Sequence, residues 1–420
     1  MDKATIQFLA LLSSAMETRQ SLNDMEEADW DKLLQLASIH NIVPMIYEAA
    51  QHTVSFSQAP YEVSAVWRKR TISSSINQMY RTMEFLMIYD KLNQAGIQAL
   101  VVKGIICRQL YPNNYYRSSS DEDVYIQRED FEQVDRIFQA SGLLRDRRKR
   151  GESRLEQVTT YHSPNHGLCI ELHIDLFPTE SDLFEPMNQL FCNGFKESIC
   201  IMIDGISVHT LSHNAHLLFL ILHSMKHFLA TGFGIRQVCD MVMFINTYGK
   251  EIHWNTLWNQ LLKLKYEVFF LNLLDIGMRY LGLNTNQIEY PKGYSSLDVH
   301  SDGLLYDIMK AGIFGKSAEQ VKTSSITLHA IRKDRKKKGM NHPDGIIMNT
   351  LFPEHSYMSS HYAYCRKNRL LLPVAWMHRI VTNLAEDKSI TKLIRKADNS
   401  FTIGRRRTQL LEEYKIIGRQ

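Results

Sequence analysis

Residues 168–176 alternate strictly: Ile170, Leu172, Ile174 and Leu176 are apolar, while Glu171, His173 and Asp175 between them are polar. Successive side chains of a strand point to opposite faces, so this period describes a strand with one buried face and one polar face. Other short apolar runs read as strands too. Residues 97–102 end at Lys103-Gly104 and read as a strand feeding a turn, and 124–126 form a second candidate. Residues 199–203 and 206–209, joined by Asp204-Gly205, read as a hairpin closed by a tight turn.

Helical spacing surrounds these strands. Asp29 is placed to cap a helix whose apolar positions are Trp30, Leu33, Leu34 and Ala37. Residues 73–95 carry Ile76, Met79, Tyr80, Met83 and Leu86 along one stripe, and the absence of Gly and Pro from 61 to 95 allows long helices. Residues 128–140 put Phe131, Val134, Ile137 and Phe138 on one face, and helical periodicity returns from His213 to about Leu283. The order is helices, strands, helices. It predicts an α+β fold: a small mixed sheet flanked by N-terminal and C-terminal helical segments. The implied division is a helical segment over 1–95, an α/β core over 96–212, a helical domain over 213–300 and a helical, basic extension over 301–420.

A chain of 420 residues is long enough for two or three domains. A hydrophobic content of 44% with 22% charged residues is that of a globular protein rather than a disordered one. The net charge of +4 falls short of a nucleic-acid coat protein. The basic residues do cluster, at Arg145 with 147–150, at 332–338 and at 405–407, and each cluster reads as a solvated face. Six cysteines without a C-x-x-C pair suggest neither a zinc ribbon nor a disulfide framework, and read as thiols in a reducing, cytoplasmic setting. No stretch reaches the roughly 18 apolar residues of a membrane span. The apolar start at 6–12 reads as an ordinary first helix rather than a secretion signal.

Chemistry concentrates at Asp121-Glu122-Asp123. On a strand, Asp121 and Asp123 project to one face about 7 Å apart. Two carboxylates held that close need a cation or a proton between them. Magnesium suits hard oxygen donors. If the strand bearing Glu171 is a neighbour, three carboxylates converge, enough to hold two metal ions for a phosphoryl displacement. A D-x-D pair taken alone is common at turns and solvated strand ends, and the three serines before it favour a loop there.

The motifs in series are Lys103-Gly104, Leu110-Tyr111-Pro112, Arg117, Asp121 and Asp123, Glu171-Leu172-His173, then His223, Lys226-His227, Arg236 and Asp240. In this order they resemble the nucleotidyltransferase superfamily typified by DNA polymerase β, and most of all a bacterial branch of uncharacterised nucleotidyltransferases. The likeness reaches the helices around 30–43 and weakens after about residue 285. It implies a Mg²⁺- or Mn²⁺-dependent transferase with Asp121, Asp123 and Glu171 as catalytic metal ligands. It also implies an NTP substrate contacted by Lys103, Gly104, Arg117, His223, Lys226, His227, Arg236 and Asp240. The acceptor is left open: a small molecule, a protein or an RNA.

Two departures stand out. The wider superfamily has Gly-Ser where this chain has Lys103-Gly104, so a lysine point charge stands in for the serine contact. The middle residue of D-x-D is Glu122 rather than an apolar one, so either the sheet is open on that side or Glu122 pairs with a base. Each supporting residue also has a plainer reading. Arg117 and Lys103 read equally as surface cations, Arg236 and Asp240 as an i, i+4 salt bridge, and the histidines as a polar helix face. His223 and His227 lack the glutamate and third ligand of a zinc site. Alternatives to an enzyme are a catalytically inactive nucleotide- or partner-binding relative and a basic nucleic-acid-binding protein.

Overall fold

A computed structural model describes residues 1–17, 25, 27–146, 157–179, 184–230, 232–291, 293, 299–311, 358, 362, 364, 368–378 and 406–416. The chain forms two compact units, one of residues 1–226 and 234–306, the other of 227–233 and 307–420.

The first unit begins with helices α1 (Lys3–Met16), α2 (Trp30–Ile39), α3 (Val43–Ala50) and a short α4 (Val54–Ser57). Asp29 caps α2 as its position suggests, accepting a hydrogen bond from the Lys32 amide at 2.9 Å. Trp30, Leu33, Leu34 and Ala37 are all buried. The residues between 61 and 95 form a single 34-residue helix, α5 (Tyr61–Gln94). Its buried line differs from the apolar stripe read in the sequence. Leu86 is buried, but Ile76, Tyr80 and Met83 face outward. The inward positions include Gln78 and Thr82, because polar groups of the core need these partners.

The sheet follows: β1 (Leu100–Val101), a one-turn α6 (Ile105–Arg108), β2 (Glu122–Tyr125), α7 (Phe131–Ala140), β3 (Leu144–Arg145), β4 (Val158–His162), β5 (Cys169–His173), a one-turn α8 (Glu185–Asn188), β6 (Ile199–Ile203) and β7 (Ile206–Thr210). The strand order is β3-β4-β5-β2-β1-β7-β6. Pairs β2–β5 and β1–β7 are parallel and the rest antiparallel, which makes the sheet mixed. The β6–β7 hairpin turns at Asp204-Gly205, whose φ angles of 47° and 83° are the left-handed pair that a two-residue hairpin turn requires. Phe85, Leu86, Tyr89 and Leu92 of α5 and Phe131, Val134 and Phe138 of α7 share one core cluster with Val101, Val124, Ile170 and Leu172 of the strands. The Tyr89 hydroxyl donates to the Ala99 carbonyl at 2.6 Å and accepts from the His209 amide at 3.0 Å, pinning α5 to the sheet at β1 and β7.

Helices α9 (His213–Ala230), α10 (Ile235–Tyr248), α11 (Trp254–Leu264), α12 (Glu267–Tyr280) and α13 (Asp302–Ala311) complete the described helices up to residue 311. Gly234 is the N-cap of α10. No helix among the described residues is long and apolar enough to cross a membrane.

In the second unit Arg407, from the third basic cluster, departs from the reading of a solvated face. Arg407 is 1% exposed, and its Nε lies 3.1 Å from a carboxylate oxygen of Asp307. Most of the first basic cluster and all of the second lie outside the described residues. Arg145, the described member of the first, pairs with Asp135 at 3.3 Å. Cys107 and Cys239 are buried free thiols, whereas Cys192 and Cys200 are exposed; Cys365 lies outside the described residues.

Candidate active site

The parallel pairing of β2 and β5 sets the site. Its register places Asp123 opposite Glu171 and Tyr125 opposite His173. Because side chains alternate, Asp121, Asp123, Glu171 and His173 share one face, while Val124, Ile170 and Leu172 enter the core on the other. One oxygen of Asp123, one of Glu171 and a ring nitrogen of His173 lie within 4.8 Å of one another, close enough to share a metal ion. His173 Nε2 is 3.1 Å from Asp123 and 3.7 Å from Glu171. His173 closes the Glu-Leu-His motif and has no role among the sequence-based expectations. Its i, i+2 spacing from Glu171 on an alternating strand was the signal available.

Lys103 supplies the positive charge. Its Nζ lies 2.7 Å from Asp123 and 3.5 Å from Asp121, between the two carboxylates that must not face each other unneutralised. The electrostatics follow. Burial alone would raise the Asp123 carboxyl, but the Lys103 ammonium and then the His173 hydrogen bond hold it well below the usual range. Asp121 is likewise lowered, burial being outweighed by Lys103. Glu171 goes the other way, raised by burial and then by the charges of Asp123 and Asp121. A pair of ionised aspartates beside a carboxyl with raised proton affinity is a division of roles typical of acid–base sites.

Glu122, the unexpected centre of the D-x-D, points away from this face and is 2% exposed. It pairs with a base: Arg108 Nη1 is 2.7 Å away, and Arg108 is itself buried. The other Glu122 oxygen accepts from the Ile105 amide at 2.7 Å, at the first turn of α6. Gly104 makes this possible. Its φ of +57° suits glycine, and a Cβ there would lie 1.9 Å from the Glu122 carboxylate. The Lys103-Gly104 turn and the Asp-Glu-Asp strand are thus bolted together through one carboxylate, which fixes Lys103 beside Asp121 and Asp123.

Arg117 does not face the carboxylates. It is 1% exposed and grips Asp240 with two groups, Nε at 3.0 Å and Nη2 on the second oxygen. The Tyr111 hydroxyl donates to the same carboxylate at 2.8 Å. Asp240 is therefore engaged by Arg117 and Tyr111 rather than by Arg236, whose Nη1 donates to the Ser118 carbonyl. Together these residues of α10 hold the segment that leads into Asp121. On α9, His223 and Lys226 sit within electrostatic reach of the site. His223 helps lower Asp123, and burial lowers the Lys226 ammonium against the pull of Asp123. His227 belongs to the second unit.

Donor chemistry fits a hard divalent cation: Asp123 and Glu171 offer oxygens and His173 a nitrogen, while Asp121, on the same face, stands outside that group of three. None of the curated proteins matches this chain. A crystal structure of an antigenic nucleotidyltransferase-like protein from Paracoccidioides brasiliensis is similar at 13% identity and a TM-score of 0.32, over 51% of this chain and 96% of that one. A family described as uncharacterised nucleotidyltransferase matches residues 26–282, which include every residue of the site just described. The chain belongs to that nucleotidyltransferase family.

Proposed function

We propose that the protein transfers an NMP group from an NTP to an acceptor hydroxyl, at the face carrying Asp121, Asp123 and Glu171. The observation that carries this reading is the register of β2 and β5, which sets Asp123 beside Glu171 with Lys103 and His173 around them. Asp121, Asp123 and Glu171 would hold Mg²⁺ or Mn²⁺, with His173 within reach as a further ligand. Divalent metal there supplies Lewis-acid stabilisation of the phosphoryl group and lowers the pKa of the acceptor hydroxyl.

The remaining work falls to the chain's own residues. Glu171, partly exposed on the same face, takes the proton of the acceptor hydroxyl. The hydroxyl oxygen then forms a bond to the α-phosphorus. The bond from that phosphorus to the α–β bridging oxygen breaks, and pyrophosphate departs with the electron pair. Lys103 and Lys226 are the cations placed to offset phosphate charge. Arg117, Asp240 and Arg236 act one layer back: Arg236 holds the Ser118 carbonyl, and with it the approach to Asp121, while Asp240 holds Arg117. Catalysis of this kind rests on positioning and electrostatics more than on covalent help from the protein.

The test is to incubate the protein with each α-³²P-labelled NTP, Mg²⁺ and a cell extract, and to identify the labelled fraction. Asp121→Asn with Asp123→Asn should abolish labelling. Labelling that survives in this double variant at the wild-type level places the chemistry elsewhere.

A second reading has its own observation. Lys103 already bridges Asp121 and Asp123, as a lysine would in a relative that had replaced its metal. Such a protein would bind NTP equally well with and without Mg²⁺. The transferase reading requires NTP binding that depends on the metal.

A further inference from the structure

A cavity lies on the first unit, bordered by Ser118 of the serine segment that leads into Asp121. Its volume is about 610 Å³, and its walls are α5, Ser118 and Asn41. That size lies within the ~300–1,000 Å³ range of small-molecule sites. Three cations line it: Lys69, Arg70 and Arg81. Among the described residues no carboxylate lines the cavity, and none of the three cations is paired with one. Arg70 donates to the Ser38 hydroxyl at 2.9 Å, and Arg81 to the carbonyls of His166 at 3.0 Å and Ser119 at 3.3 Å. All three therefore keep an unneutralised charge.

Gln78 adds an independent sign. It is 1% exposed and lines the cavity. Its Oε1 accepts from the Ser119 amide at 2.7 Å, which fixes the amide's orientation. Its Nε2 donor is left without a partner. A buried donor without an acceptor costs about 1–3 kcal/mol unless a ligand or water completes it. Grouped cations call for an anion with several acceptor oxygens, and arginine matches phosphate in geometry as well as charge.

We infer that this cavity binds a small phosphorylated molecule, with Lys69, Arg70 and Arg81 on its phosphate oxygens and Gln78 in the wall behind them. The cavity is also mechanically tied to the carboxylate site. Ser74 on its wall lies 2.9 Å, hydroxyl to hydroxyl, from Ser118, and Gln78 and Arg81 hold Ser119, two residues before Asp121. A phosphate in the cavity therefore bears on the same side chains that set the segment ahead of Asp121. The inference stands without the transfer chemistry, because it concerns binding alone.

The test is calorimetric titration of the full-length chain with inorganic pyrophosphate in EDTA, with a five-nucleotide single-stranded RNA as a second ligand. Wild type should bind pyrophosphate. Lys69→Gln with Arg70→Gln, both at exposed positions, should weaken it by about tenfold or more. Ser73→Glu, a second exposed change on the cavity wall, should do the same by repulsion. Asp121→Asn with Asp123→Asn should leave it within about twofold, separating this cavity from the carboxylate site. Pyrophosphate binding unchanged in both cavity variants overturns the inference, as does no binding at millimolar pyrophosphate. RNA binding far tighter than pyrophosphate, and equally lost in the variants, overturns the small-molecule assignment in favour of a nucleic-acid groove.

Discussion

His216 shows how much a single buried side chain ties stability to pH. It is 1% exposed, and its Nδ1 lies 3.2 Å from the Thr210 hydroxyl, which itself donates to the Val101 carbonyl at 2.6 Å. With that hydroxyl proton committed, Nδ1 must donate, and Nε2 is left bare and without a partner. Burial accordingly pushes the imidazole down to about 4. The unfolded chain takes up this proton near the ordinary histidine value of about 6.5, so it binds more protons than the native state between the two values. The contribution is complete above about pH 6.5 and is lost as pH falls toward 4. A shift of this size corresponds to about 3 kcal/mol at most. Urea unfolding at pH 7.5 and at pH 5 should show that loss, and His216→Gln should flatten it. A second residue-scale expectation concerns Gly104. Gly104→Ala should lower stability by more than about 2 kcal/mol, since it combines a left-handed φ with a clash against Glu122. Thermal unfolding reads it.

At the scale of elements, the strand pair β2–β5 and the turn before α6 make one assembly, and the Glu122–Arg108 pair is its bolt. Glu122→Ala should destabilise the fold by about 3–5 kcal/mol, because it leaves Arg108 charged and unpaired in the core. Glu122→Leu combined with Arg108→Met should recover most of that loss, since well-packed apolar side chains replace a buried ion pair at little cost. Equilibrium denaturation of the two variants separates the effects. Much of this assembly was legible in the sequence. The alternation at 168–176 gave β5 and its polar face, and the D-x-D and Glu-Leu-His motifs pointed to the carboxylates. The pairing partner of Glu122 was not legible, because Arg108 lies 14 residues away on a turn that no period marks. The stripe on α5 misled for a related reason. An apolar moment cannot foresee that Gln78 and Thr82 are drawn inward by the Ser119 amide and by Arg108. The same limit hid the destination of Arg117, whose partner Asp240 lies more than a hundred residues away.

At the scale of the whole molecule, the family match spans 26–282, and the basic C-terminal stretch falls beyond it. That stretch still supplies a buried ion pair in the second unit, Arg407 with Asp307. Arg407→Ala should destabilise that unit by about 3–5 kcal/mol, leaving Asp307 buried without its partner. Faster amide exchange over 406–416 would register it.

On the proposed reading, strands β2 and β5 bring acidic side chains together to carry divalent metal for nucleotidyl transfer. Electron paramagnetic resonance of Mn²⁺, titrated with the wild-type chain and with the Asp123→Asn and Glu171→Gln variants in the presence of a non-hydrolysable NTP, tests it most directly. Wild type should take up micromolar Mn²⁺, and each variant should take it up at least about tenfold more weakly. Equal uptake by all three proteins would contradict it.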